Sequence, residues 1–291
     1  MSSFRSLLCG LGAGYLWFGS GDICQTSETA AAPALYANAE IPILSDEIRC
    51  SVAPETHLRM LAIGDSITVG WGGSEYWNSY RKDLLNFLES DCPMKNRTYI
   101  GTQRTGNFVE NRHEGYPGYN INQIANDTQP RLMNSILEMP NVVLLHAGTN
   151  DMVDRPGSAP QEAPERLGKL MDMVLETVPN VTLIVAQVIQ VTEDSARRNL
   201  IPQLNTQIPR IAVERVAKGY KVQVADLSSI GVDTADLRDG LHPSDAGYRK
   251  MAVKWFGALQ NVTQAGLITP PREMSSVEGT PEGWHVFFCI L

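Results

Sequence analysis

The sequence has no Cys-x-x-Cys pair, which removes the zinc ribbon and the thioredoxin-type redox site. No Gly-x-Gly-x-x-Gly follows the first apolar segment and no Walker-type loop is present, so a nucleotide-binding reading has nothing to stand on. Basic residues are scarce: 24 Lys and Arg face 32 Asp and Glu, for a formal net charge of −8. That balance argues against nucleic acid or an anionic membrane surface as the main partner. It is silent on a neutral partner such as a sugar. Internal repeats and low-complexity runs are missing too. The apolar and small residues from Leu7 to Phe18 fall short of a comfortable membrane span, so no stable membrane insertion is expected.

What is present suits a protein with a real core: 43% of 291 residues are apolar and 19% charged, enough for one large domain or two small ones. Arg5 followed by Leu7–Phe18 resembles the n- and h-regions of a signal peptide, expected to occupy residues 1–21. Small residues for cleavage occur at Gly19-Ser20-Gly21; Ala30-Ala31-Ala32 is followed by an unfavourable Pro33. Four Asn-x-Thr sequons, at Asn96, Asn126, Asn180 and Asn261, add to the leader in favouring a secreted glycoprotein. Of the five cysteines, Cys9 lies in the leader. Cys50 and Cys92 flank the first strand–helix unit and form either a disulfide, if the protein is secreted, or two buried free thiols. Cys289 is third from the end, so the prenylation pattern fails.

Residues 22–57, rich in Ala, Ser, Thr, Pro and acids, read as a linker or loosely docked arm. The first strand is expected at 59–64, then a helix from Tyr80 capped by Ser79, and a weaker strand from Arg97 to Gly101. The polar, Gly-rich stretch from Asn107 to Tyr119 reads as an ordered loop. A helix is expected between Ile121 and Leu137, and a buried strand at Val142–Leu145. Leu167, Leu170, Met171, Val174 and Leu175 give Pro164–Val178 helical spacing. Val181–Ile189 is the most apolar strand. A helical region from Ala196 to Lys218 is interrupted by Pro202 and Pro209, Lys221–Leu227 is the last strand, and Ser244 caps a helix to Leu259. Strands thus alternate with helices about five times, which specifies a three-layer α/β/α sandwich on a central parallel five-stranded sheet over residues 58–260. Residues 261–291 form a tail of unassigned role.

Parallel strands point their carboxyl ends to one edge, where open α/β sheets bind ligands. The loops there carry Ser66, Gly118, Asn150 and the segment Asp239–His242. Acyl transfer needs a nucleophile, a base and donors for a developing oxyanion. Ser66 supplies the hydroxyl and His242 can take its proton. Asp239, three residues earlier, can hold the other ring nitrogen. The Ser66 and Gly118 N–H groups and the Asn150 side-chain amide can face the oxyanion.

These residues resemble the SGNH, or GDSL, hydrolases. Gly64-Asp65-Ser66 is similar to their first block, Gly118 to the glycine of the second, Gly148-Thr149-Asn150-Asp151 to the third and Asp239-Gly240-Leu241-His242-Pro243 to the fifth. The resemblance spans roughly residues 58–260, and the four blocks in order make it specific. It implies a flavodoxin-like fold, ester hydrolysis through an acyl-serine, and no requirement for a metal or organic cofactor. Within that clan, His113-Glu114-Gly115-x-x-Gly118-Tyr119 and Asp239 to Tyr248 resemble carbohydrate esterase family 3, which removes acetyl groups from xylan. Pro117 stands where Ser or another small residue is expected; it stiffens the loop and leaves the Gly118 N–H intact.

Bland readings compete. Asp65 is expected to shape its turn rather than react, and Asp151 to scaffold the loop of Asn150. His57, His113, His146 and His285 rival His242; His146 reads as a satisfied core histidine. His113 and Glu114 read as a second acid–base pair, half a metal site lacking a third ligand, or substrate contacts. Asp239 can instead pair with Arg238 or cap the last helix. Trp71, Tyr76 and Trp77 either stack on sugar rings or pack under their loop. The reading that results is a serine esterase acting on an acylated, most simply acetylated, carbohydrate or other small ester. The rivals are a lipase, lysophospholipase or thioesterase for longer chains, and a carbohydrate-binding protein without turnover.

Overall fold

The computed structural model describes residues 50–93, 96–153 and 159–272. The expected leader, most of the expected arm, and Cys9, Cys24, His285 and Cys289 lie outside the described residues. The elements in order are β1 (Leu58–Gly64), α1 (Ser66–Val69), α2 (Ser79–Asp91), β2 (Arg97–Ile100), β3 (Gln103–Arg104), β4 (Arg112–Gly115), α3 (Arg131–Leu137), β5 (Val142–His146), α4 (Ala163–Thr177), β6 (Thr182–Ala186), α5 (Ser195–Ala217), β7 (Lys221–Ala225) and α6 (Asp245–Gln264).

Among the described residues the sheet has seven strands rather than the expected five, yet only five parallel rows. β2 pairs with the first half of β1, Leu58↔Arg97 through Leu61↔Ile100, and β4 continues the same row against Ile63 and Gly64. β5, β6 and β7 follow on the other side of β1, all parallel. β3 is a short antiparallel addition to β4, which makes the sheet mixed. The segment expected as a loop thus contains a strand. Its sequence, Arg-His-Glu-Gly, has no apolar alternation; pairing with β1 and the hydrogen bonds of His113 and Glu114 hold it extended.

Both sheet faces are apolar, as parallel sheets require. Leu61, Ile63, Val143, Leu145, Leu183 and Val185 face α3, α4 and α5. Met60, Ala62, Val142, Leu144, Ile184 and Ala186 face α2 and α6. Successive side chains point to opposite faces, so the runs at 60–63 and 142–145 are apolar throughout. Each fully buried Leu, Ile or Val contributes about 1.5–3 kcal/mol. The five expected apolar positions of α4 are all buried.

α5 runs unbroken through Pro202 and Pro209, contrary to the expected interruption. Pro209 lacks the N–H that would reach the Asn205 carbonyl. Gln187 Nε2 donates to that carbonyl instead, at 2.9 Å. The Asn205 side chain accepts from Val188 N–H at 2.7 Å and donates to the Val188 carbonyl at 2.8 Å, binding the helix to the end of β6. The helix expected over 121–137 is broken at Pro130 into a π-helical turn, Gln123–Asp127, and α3. Ser79 is the first residue of α2 rather than the one before it, though its Oγ accepts from Arg81 N–H at 3.3 Å.

Packing continues on both sides of residues 58–260. Cys50 is bonded to Cys92 as a disulfide, Asp91 accepts from the backbone of Ser51 and Val52, and Val52 and Ala53 are buried. Beyond Gln264 the chain returns beneath the strands' amino ends. There the Leu267 carbonyl accepts from Thr182, the Thr269 carbonyl from Asn141 and the Arg272 carbonyl from Arg59. No helix among the described residues is long and apolar enough to cross a membrane.

Candidate active site

Three strands end level with one another. Gly64 pairs with Gly115 of β4 on one side and with His146 of β5 on the other. The chain leaves these positions toward Ser66, Gly118 and Asn150, so groups far apart in sequence emerge side by side.

Asp65 caps the short helix α1, accepting from Ile67 N–H at 2.9 Å, and so shapes the turn as expected. Ser66 opens that helix, and its carbonyl accepts from the N–H groups of Gly70 and Trp71 at 2.9 and 3.0 Å. The backbone around the hydroxyl is thereby fixed. Ser66 Oγ lies 3.0 Å from His242 Nε2, across 176 residues of sequence. His242 Nδ1 lies 2.7 Å from Asp239 Oδ2. With the carboxylate ionised, Nδ1 carries the proton and donates it, leaving Nε2 to accept from the serine hydroxyl. The other Asp239 oxygen accepts from the N–H groups of Leu241 and His242 at 3.0 and 2.7 Å. Burial alone would raise the Asp239 pKa; these N–H groups and the imidazole outweigh it and hold the carboxyl below its ordinary value. Asp239 therefore pairs with His242 rather than Arg238, while remaining 45% exposed.

The Gly118 loop is a turn whose Tyr119 N–H reaches the Tyr116 carbonyl at 3.2 Å. Pro117 and Gly118 occupy its central positions, and Gly118 has φ +78°. That is the type II pattern, which favours Pro first and Gly second. The substitution of Pro for a small residue is thus accommodated by turn type, and the turn does not use the Gly118 N–H. Asn150 Nδ2 donates to the Tyr119 carbonyl at 3.0 Å, and Asp151 accepts from Ile121 N–H at 2.9 Å. The Asn150 loop is therefore stitched to the Gly118 turn at two points. Burial raises the Asp151 carboxyl, opposed by Ile121 N–H and by Arg166, paired with it at 2.8 Å.

The rival residues fall elsewhere. His57 sits at the opposite end of β1, against Thr98 Oγ1 at 3.0 Å. His113 is buried between Thr105 Oγ1 and Gly115 N–H; burial, aided by Arg81, pushes it down to about 2, so it stays neutral. Glu114 is buried and accepts from Thr102 N–H, Tyr116 Oη and Ser135 Oγ. Neither residue is placed to touch substrate or to serve a metal, and among the described residues no three His, Cys, Asp or Glu side chains cluster to hold one. His146 is fully buried and lowered by that burial, but it is not a satisfied core histidine. Neither ring nitrogen meets a hydrogen-bond partner among the described residues. Trp71, Tyr76 and Trp77 are exposed rather than packed under their loop.

One contributor escapes sequence reasoning. Gly72 lies against the imidazole, and a Cβ there would stand 2.7 Å from His242 Nδ1 and 3.3 Å from Asp239 Oδ2. The Gly72-Gly73 pair soon after the serine was the available signal.

A mostly parallel sheet flanked by helices on both faces, with a Ser–His–Asp chain at its strand ends, is the architecture of an SGNH-type hydrolase. The chain belongs to the GDSL-like lipase/acylhydrolase family, whose sequence profile matches residues 62–250. It is 28% identical over 270 residues to a multidomain esterase of Ruminococcus flavefaciens, covering 83% of this chain and 34% of that protein. The chain thus spans about a third of that relative's length. Among solved structures it is similar to a family 3 carbohydrate esterase of Clostridium thermocellum, with 31% identity, a TM-score of 0.60, and coverage of 73% of this chain and 100% of that one. A family 3 carbohydrate esterase of Talaromyces cellulolyticus, at 19% identity, shares the fold with a TM-score of 0.55, covering 72% of this chain and 99% of that one.

Proposed function

We propose that this protein is a serine esterase that removes short acyl groups, acetyl foremost, from carbohydrate. The observation that carries the reading is the unbroken chain from Ser66 Oγ to His242 to Asp239, at 3.0 and 2.7 Å, beside the stitched loops of Gly118 and Asn150. Ser66 Oγ attacks the ester carbonyl while His242 Nε2 takes its proton. The carbonyl oxygen gains charge and is met by the Ser66 and Gly118 N–H groups and the Asn150 amide. Collapse of the tetrahedral species expels the alkoxide, which receives the proton from His242, and leaves acyl-Ser66. Water, deprotonated by the same imidazole, attacks this ester and releases the acid and free serine. Family membership and the likeness to the Clostridium thermocellum enzyme support the carbohydrate ester as substrate.

Secretion and glycosylation belong to the same proposal. They are supported by the leader-like residues 1–21, by the Cys50–Cys92 bridge typical of oxidising compartments, and by the exposure of Asn96, Asn126, Asn180 and Asn261.

Purified protein with p-nitrophenyl acetate tests the chemistry. Ser66→Ala should abolish nearly all turnover, and activity surviving it would reject the mechanism. A series of p-nitrophenyl esters tests the acyl group, since preference for long chains would point to a lipase or thioesterase instead. Acetate release from acetylated xylan and other acetylated glycans then identifies the alcohol.

A further inference from the structure

The aromatic side chains beside the nucleophile have no partner in the mechanism above. Trp71, Tyr76 and Trp77 are 46%, 63% and 43% exposed, although large apolar side chains gain from burial. The two indoles meet, with ring centroids 5.0 Å apart and planes tilted by 38°.

The chain is strained in order to present them. Tyr76, Trp77 and Ser79 have φ of +54°, +58° and +51°, a region that costs a residue with a Cβ roughly 1–3 kcal/mol each and recurs at ligand clamps. The surroundings enforce it. The Trp77 backbone lies so close to Gly70 that a Cβ there would come within 2.6 Å of it. Asp245 accepts from Glu75 N–H at 3.1 Å. Arg81, fully buried, donates to the Thr68 and Trp77 carbonyls at 3.0 and 3.4 Å and to Ser79 Oγ at 3.1 Å. A hydrophobic surface held rigidly in water is the profile of a binding face.

Its position selects the ligand. Trp71 N–H is bonded to the Ser66 carbonyl, and its neighbour Gly72 touches the His242 ring. In ester cleavage the imidazole hands its proton to the leaving oxygen, so the alcohol portion lies on the histidine side of the reacting carbon. The carbonyl oxygen faces the Gly118 and Asn150 loops instead. We infer that Trp71 and Trp77 form a platform on which a pyranose ring of the leaving alcohol stacks, and that they, rather than contacts to the acyl group, confer selectivity for carbohydrate esters. The apolar C–H face of a sugar ring suits the electron-rich face of an indole. This inference rests on the esterase reading above.

The experiment compares acetylated xylo-oligosaccharide with ethyl acetate, an acetyl ester whose alcohol has no ring, in a pH-stat. Trp71→Ala and Trp77→Ala should each lower the ratio of kcat/KM values, oligosaccharide over ethyl acetate, by roughly tenfold or more, mainly through KM. Trp71→Phe should restore most of it. A ratio unchanged by either alanine variant overturns the platform, as does a wild-type enzyme that prefers ethyl acetate. Titration calorimetry of the Ser66→Ala protein with unacetylated xylo-oligosaccharide separates this idea from the esterase reading. Binding lost on adding Trp71→Ala supports the platform even if no ester is hydrolysed, and absence of binding before that change overturns it.

Discussion

Gly72 is the wall against which His242 rests: a Cβ added there would stand 2.7 Å from Nδ1 and 3.1 Å from Cγ. Imidazole orientation is thus set at its Nδ1 side by backbone packing and by Asp239 together. Gly72 also has φ +74°, so a side chain is disfavoured twice. Gly72→Ala should lower kcat by roughly 10²-fold, the usual cost of displacing a reacting group by about 1 Å. Gly257→Ala provides a contrast. A Cβ there meets nothing within 4 Å, and α6 should gain about 0.5–1 kcal/mol in thermal or urea unfolding.

Asn150 gives one N–H of its amide to the Tyr119 carbonyl, and the proposed mechanism assigns the other to the oxyanion. Asn150→Ala should cost about 2.7–4 kcal/mol of transition-state stabilisation, seen as a 10²–10³-fold lower kcat with KM little changed. A comparable rise in KM would instead mean that the Gly118 turn had shifted.

Asp239→Asn should lower kcat by roughly 10²–10⁴-fold by favouring the wrong imidazole tautomer. Its effect on stability has a defined sign. The folded Asp239 carboxyl titrates below its ordinary value, so its stabilisation is complete above the ordinary aspartate range and is lost as pH falls through the folded pKa. Melting temperatures of wild type and Asp239→Asn should therefore differ most near neutrality and converge in acid. Because the side chain is 45% exposed, the gap should be small and should narrow further in salt.

The Cys50–Cys92 bridge closes a span of 42 residues. Loop closure of that size is worth about 3–4 kcal/mol through the unfolded chain. The double variant Cys50→Ser, Cys92→Ser should lose that amount in urea titration, and reductant should affect wild type alone.

Much of this was legible in the residues. The apolar runs of β1 and β5 are buried on both faces, so their character is visible without knowing their neighbours. Asp239 and His242 are three residues apart and one turn joins them, so their pairing is local. β4 was hidden because its polar side chains are satisfied by partners such as Thr102 and Ser135, which the chain supplies only after folding. The continuity of α5 was hidden because Gln187 supplies the donor that Pro209 lacks. Gly72 was hidden for a similar reason: its neighbour is 170 positions away in sequence, and only the folded chain shows the contact.

The level ending of β4, β1 and β5 divides the molecule into a conservative rim and a permissive one. Ser66, Gly118 and Asn150 stand two, three and four residues past the shared row of Gly64, Gly115 and His146. Inserting one residue into any of these tethers would rotate its functional group away from the common focus. Lengthening a connection at the opposite rim leaves that focus untouched.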